Sequence, residues 1–399
     1  MTTAVRTAVW GAFLFILLLA ARQEMKTRNT DSNAWDQGAV LALSDSIRAS
    51  GSLFRTDANR HPLFPLLLVP LRSPGTSGFH RAQIAAMAVG ALFFAVLFFL
   101  FGRKGPLTLS VFLAAALALP PGLPLLLTQV IPDLLFTLLN LLAWYFLAKS
   151  FTRWKHALWG GVFAGLAFLA KFSGFMTLEI FLACMTVWGC VTLVRRQFRP
   201  AGDALKALLG ATMLFAVVAS PLLVYNQRTH GRMFYNVNSD YYLWAESWKA
   251  CKDFSVLSHD RSDAEIHQAA LLAMDPAEIL SARNFFRQHS IGFIVMRIKA
   301  GLHLNGLAWW QGRGYFFLLL GAFVLLALYR LGFSTALMRL RSPATLFSLA
   351  YVAVYFTSLC WYAAIAFSLR FLYPLHALLA VGFFLWLKKG PEADQPPVK

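Results

Sequence analysis

Residues 82–101 read AQIAAMAVGALFFAVLFFLF, a run of apolar and small residues without one charge. At about 1.5 Å per residue, a helix of that length matches the roughly 30 Å hydrocarbon core of a bilayer. Similar runs fall at 6–21, 106–120, 132–148, 157–170, 174–194, 205–225, 314–331, 344–362 and 371–387. They are continuous rather than alternating, which excludes a transmembrane barrel. The expected architecture is therefore all-α and polytopic, with about ten transmembrane helices.

Composition agrees. The 399 residues are 58% hydrophobic and 14% charged, with a mean hydropathy of +0.58. Ordinary soluble domains carry about 25% charged residues. A soluble enzyme, a disordered chain and a small disulfide scaffold are excluded. The net charge of +18 would suggest nucleic acid in a soluble domain. Here it reads as loop charge that sets topology and meets anionic membrane lipid, with no nucleic-acid partner. The four cysteines form no CxxC pair and none of the nine histidines sits in an HExxH pattern, so no zinc site or disulfide framework is indicated.

Short basic turns occur at Arg103-Lys104, Lys149 to Lys155, Arg195 to Arg199, Arg330 to Arg341 and Lys388-Lys389. Placing them in the cytoplasm sends two long segments outward, about 22–81 and 226–313. The first holds eight Lys/Arg, which opposes the charge rule. Either an anionic ligand at the outer face requires them, or the other basic turns outvote them. Ala39 to Ser50 has apolar positions at helical spacing and ends before Gly51, which predicts an amphipathic interfacial helix with a glycine C-cap. His61-Pro62-Leu63-Phe64-Pro65 is expected to break regular structure. Further amphipathic helices are expected near 262–274 and 276–303, and Tyr241, Tyr242, Trp244 and Trp248 suit an interface belt. Residues 1–390 are expected to form a single transmembrane domain, and 391–399 a disordered cytoplasmic tail. Because the first run is short and ends Ala20-Ala21, a cleaved signal peptide is an alternative to a first span.

Acids are scarce, so their positions are informative. Asp31, Asp36 and Asp57 lie in the first outer loop, Asp133 follows Pro132 at the outer start of a segment, and Glu179 lies about one turn inside another. An ionisable group in a span is a functional candidate by default. Glu179 also reads as a buried ion pair or a snorkelling side chain, and Asp133 as a helix cap. Lys171 ends the fifth segment and Arg370 begins the tenth, both at the outer boundary. Snorkelling explains any single such cation. Together, a carboxylate that takes a proton from a hydroxyl and cations that hold a phosphate leaving group suit group transfer from a phosphate.

Five stretches carry a family resemblance. Asp36-Gln37-Gly38-Ala39-Val40-Leu41 and Arg60-His61-Pro62-Leu63-Phe64-Pro65-Leu66 resemble the "DEGxYL … HPPLYPLL" opening of GT-C fold glycosyltransferases, among them the protein O-mannosyltransferase and lipid A aminoarabinose transferase superfamily, glycosyltransferase family 39-like. GVFAGLAFLAKFSG (161–174), SPLLVYNQRTHGRMF (220–234) and SLRFLYPLHALL (368–379) are similar to its "GLALLTKxxG", "PWLLRNYxxFGxPF" and "RYLLPLxPLL".

The resemblance implies a GT-C fold in the plasma (inner) membrane with the active site facing outward. It implies transfer of a sugar from a polyprenyl-phosphate-linked donor to a lipid, glycan or protein acceptor of the envelope. The family's catalytic Asp falls on Asp36, with Asp31 as the fallback base and Asp57 as a second acid. The donor-phosphate contacts fall on Lys171 and Arg370, joined by Arg60 and by Arg228, which stands one turn beyond the position of the family's Arg. His61, Gln37, Asp133 and Glu179 would line the cleft. Side chains supply the positive charge, so no cofactor is expected and a divalent metal is not required. The chain departs from the pattern at Gln37, where an acid commonly follows the Asp, at Val40 in place of Tyr and at Tyr225 in place of Arg. The alternative class is a transporter or flippase of a lipid-linked or anionic substrate. Its marks would be inverted repeats and broken helices at midplane, and neither is seen in the sequence.

Overall fold

A computed structural model describes residues 3–34, 36–52, 60–72, 76–102, 113–114, 116–117, 122–236, 285–287, 289–305, 321, 325, 329, 341–363 and 368–388. Several expectations lie outside the described residues: Asp57, most of the 106–120 and 314–331 segments, the 262–274 helix, the start of the 276–303 helix, the aromatic belt at 241–248 and the tail.

Among the described residues the protein is all-helical. In chain order the helices are α1 (Thr3–Thr27), α2 (Gln37–Ser50), α3 (Leu63–Leu68), α4 (Thr76–Leu97), α5 (Leu123–Thr128), α6 (Asp133–Ser150), α7 (His156–Ala170), α8 (Phe175–Val194), α9 (Phe198–His230), α10 (residues 291–305), α11 (Pro343–Tyr362) and α12 (Leu369–Lys388). Among the described residues, five stretches are long and apolar enough to cross a membrane: Ala4–Thr27, Gly78–Leu100, Phe172–Val194, Phe198–His230 and Pro343–Tyr362. This is a helical membrane protein. The first helix outruns its apolar segment because Arg22, Gln23, Glu24, Met25 and Lys26 are good helix formers and carry it to Thr27.

The core sits around α6, which buries residues on every side, from Leu134 and Phe136 to Trp144 and Leu147. Small residues let α7 approach α9 closely. A Cβ added at Gly161 would lie 2.3 Å from the Ala211 carbonyl oxygen, and one at Gly165 would lie 2.8 Å from Val218 Cβ. Such close packing drives helix association where lipid supplies no hydrophobic force. Polar side chains join α6, α8 and α11. Asn140 Nδ2 donates to the Tyr351 hydroxyl at 2.6 Å, Thr177 donates to Asn140 Oδ1, and Trp144 Nε1 donates to Ser348 Oγ at 3.1 Å. On α12, Tyr373 donates to the Leu117 carbonyl at 3.0 Å and His376 Nε2 to that of Ala116 at 2.6 Å.

The segment between α1 and α4 is helical over much of its described length. α2 buries Val40, Leu41, Leu43 and Ile47 and ends at Gly51, whose φ of 65° is the expected left-handed cap. Its outer face is tied to the end of the next stretch. Arg72 grips Asp45 through Nε at 2.8 Å and Nη2 at 2.5 Å, while Arg48 donates to the Arg72 carbonyl at 2.6 Å. The His-Pro motif corrects an expectation, because Leu63–Leu68 is a short helix rather than a break. Pro62 caps it and Pro65 falls in its first turn, where no N–H is needed for a helical bond.

Candidate functional site

Five charged side chains from five separate stretches meet at one end of the bundle. α6 begins there with Asp133, α7 ends there just before Lys171, and α12 begins there with Leu369 and Arg370. Asp36 precedes α2, and Arg60 precedes α3.

Asp36 stands at the N-cap of α2, yet its side chain makes no capping bond. It turns instead to Arg370, whose Nη2 donates to Oδ2, while Arg60 Nη2 lies 3.7 Å from Oδ1. Burial alone would raise the Asp36 carboxyl. The Arg370 charge and hydrogen bond, followed by the charges of Arg60 and Lys171, outweigh burial and hold the group below the usual carboxylate range. Asp36 is therefore ionised at neutral pH.

Beside this pair, Lys171 Nζ donates to Asp133 Oδ1 at 2.9 Å. Lys171 leaves α7 in extended conformation, with φ −160° and ψ 138°. The chain then folds back so tightly that a Cβ at Gly174 would lie 2.3 Å from the Ala167 carbonyl carbon. The ammonium sits 4.8 Å from the Phe371 ring centroid and 5.7 Å from that of Phe136, within range of cation–π attraction. Arg370 lies over the same Phe371 ring at 4.9 Å. His61 is buried edge-on against Phe168 at 5.0 Å and Phe172 at 5.9 Å.

Gln37 is fully buried behind Asp36, inside a network rather than on an open cleft wall. Its Oε1 accepts from Val130 N–H at 2.8 Å and Asn29 Nδ2 at 3.1 Å. Its Nε2 donates to Asn29 Oδ1 at 2.9 Å and to the Asp31 carbonyl at 3.1 Å. A carboxylate cannot donate, so an amide satisfies this position and an acid does not. The network pins the residue next to Asp36 and fixes where the carboxylate starts.

The remaining candidates do not join the cluster. Asp31 is exposed, and its Oδ1 accepts the Asn33 N–H at 2.8 Å in a local turn. Glu179 is exposed on α8 and Arg228 is exposed on the last turn of α9; neither makes an ion pair among the described residues. Asp133, a capping candidate in the sequence, bonds Lys171 instead. The residues that sequence reading missed are Asn29, Asn140, Thr177 and Tyr351. For Asn140, Thr177 and Tyr351 the signal was a lone polar residue inside an apolar run, where polar groups commonly bridge helices; Asn29, in the polar stretch KTRNTDSN, carried no such signal.

Three cations face two carboxylates here, an excess of one positive charge. The arrangement can hold an oxyanion on guanidinium and ammonium donors while keeping a second, ionised carboxylate within reach of a hydroxyl. No group of three or more His, Cys, Asp or Glu forms among the described residues, so no residue is assigned as a metal ligand. No protein-family model, curated protein or solved structure matches this chain.

Proposed function

We propose that this chain is an integral-membrane glycosyltransferase of the GT-C type, with about ten membrane segments and its site on the outer face of the cytoplasmic membrane. It takes a sugar from a polyprenyl-phosphate donor and gives it to an acceptor hydroxyl of an envelope glycan, lipid or protein. One observation carries the reading. Asp36, Arg60, Lys171 and Arg370, singled out from separate motifs, meet in one charged cluster at the end of an apolar bundle.

The roles follow from the chemistry. Asp36 accepts a hydrogen bond from the acceptor hydroxyl as its oxygen attacks the anomeric carbon. The carbon–oxygen bond to phosphate breaks on the opposite face, and the new glycosidic bond inverts the configuration. The hydroxyl proton passes to Asp36 and then to water. Negative charge grows on the departing polyprenyl phosphate, where Arg370, Lys171 and Arg60 stabilise it. Asp133 orients Lys171. Apolar helices cradle the polyprenyl tail, worth about 0.8 kcal/mol per buried CH₂.

The buried Asn140–Thr177–Tyr351 contacts are hydrogen-bonded side chain to side chain. They hold α6, α8 and α11 together, as polar side chains commonly do between membrane helices.

The test is sugar transfer by purified protein in nanodiscs from a panel of polyprenyl-phosphate sugars, with membrane extract as acceptor. Transfer by wild type that falls at least about a hundredfold in Asp36→Asn is expected, within the usual range for a general base. Equal transfer by both would remove Asp36 from the mechanism, and none from any donor would remove the glycosyltransferase reading.

A further inference from the structure

Arg370 is only half used. Its Nη2 donates to Asp36, but its Nη1 is buried and has no hydrogen-bond partner among the described residues. Arg60 stands 3.7 Å from the other Asp36 oxygen, which is an attraction but not a hydrogen bond. Lys171, the third cation, is held by Asp133. The Asp36 carboxylate thus bridges two guanidinium groups and leaves Nη1 of Arg370 without a hydrogen bond among the described residues. A phosphate presents paired oxygens at nearly the separation of a carboxylate's, with further oxygens left for a second N–H.

We propose that the Asp36 carboxylate is the internal occupant of a phosphate position. A lipid-borne phosphate exchanges with Asp36 on Arg370, engages the unused Nη1, and releases Asp36 toward the acceptor. The second half of this statement rests on the glycosyltransferase reading. The first half, anion exchange on Arg370, does not. The consequence is an order of events. The phosphate must bind before Asp36 is free to receive a hydroxyl, so the carboxylate stays locked to Arg370 until a donor is in place.

The exchange makes a prediction opposite in sign to that for an ordinary binding residue. Removing the charge of Asp36 removes a competitor, so phosphate binds more tightly. The probe is farnesyl phosphate, titrated calorimetrically onto the full chain in nanodiscs of neutral lipid, with unfolding temperature recorded for each variant. Asp36→Asn and Asp36→Ser should tighten binding by about three- to tenfold, the worth of a partly exposed ion pair. Serine is well suited to the N-cap position of α2 and guards against misfolding. Arg370→Ala should weaken binding by about tenfold or more. Arg199→Ala, at the opposite end of α9, should match wild type.

Unchanged or weaker binding in both folded Asp36 variants would overturn the proposal, as would no binding by wild type. Failure of both variants to fold would also overturn it, because a pair the fold requires cannot be exchanged away. A parallel series with inorganic phosphate should rank the variants alike at lower affinity. Equal affinity for the two probes would assign the position to a free anion and overturn the lipid-borne source. Tighter binding without sugar transfer by wild type would keep the exchange and remove the glycosyltransferase. Transfer without tightening would do the reverse.

Discussion

Lys171 and Asp133 close the charged end of the α6–α7 pair with a bond of 2.9 Å, and the two partners are unequally exposed. The Lys171 side chain retains 31% of its accessible surface and that of Asp133 only 6%. The carboxylate therefore depends on the ammonium more than the reverse. Lys171→Met should cost about 2 kcal/mol or more, because it strands a charge in the interior. Asp133→Asn should cost about 1 kcal/mol or less, because the amide still accepts a bond and Lys171 reaches water. Thermal unfolding of the two variants in detergent checks the order. A larger loss for Asp133→Asn would contradict it.

Asp36 predicts a pH dependence with a definite sign. Its folded pKa lies below the ordinary carboxylate range because the cations outweigh burial. Its contribution to stability is therefore present above the unfolded value of about 4 and disappears as pH falls through the folded value. Wild type should unfold at a higher temperature than Asp36→Asn at neutral pH. The gap should shrink only below about pH 4. A gap that closes between pH 5 and 7 would mean that the carboxylate is not held by Arg370 and Arg60.

Much of the helical frame was legible because long apolar runs report helices suited to a bilayer whether or not they are buried in the protein, as at 174–194, which became α8, and 344–362, which became α11. The gathering of Asp36, Lys171 and Arg370 at one end was legible too, since consecutive antiparallel segments bring every second boundary to the same face. The pairing was not. Which cation meets Asp36 depends on α12 returning beside α2, 334 residues along the chain. Gln37 read as a departure from a motif, and its burial could not be seen because its partners Asn29 and Val130 come from both sides of it in sequence. The His-Pro motif read as a break because proline opposes helix interiors, whereas here both prolines lie at a helix start.

Gln37→Glu tests the buried network. The substitution removes two donors, to Asn29 Oδ1 and the Asp31 carbonyl, and places a carboxylate where no water reaches. The expected loss is about 2–5 kcal/mol at neutral pH. Because a protonated acid can restore one donor, part of the loss should recover as pH falls. Unfolding curves at neutral and acidic pH measure both effects. A neutral substitution would mean that the network does not hold Asp36.

Two glycines separate close packing from helix propensity. At Gly161 an added Cβ would meet the Ala211 carbonyl oxygen at 2.3 Å, backbone that has no rotamer by which to retreat. Gly161→Ala should push α7 from α9 and cost about 1–3 kcal/mol. At Gly202, on the same α9, nothing lies within 4 Å of the added atom. Gly202→Ala should therefore be neutral or stabilise by up to about 1 kcal/mol through helix propensity alone. The displacement at Gly161 should also reach Lys171, since α7 carries it one residue past its end. Gly161→Ala is expected to weaken phosphate binding as well as lower the unfolding temperature, whereas Gly202→Ala should leave binding unchanged. Equal unfolding temperatures for the two variants would place α7 and α9 further apart than the carbonyl contact requires.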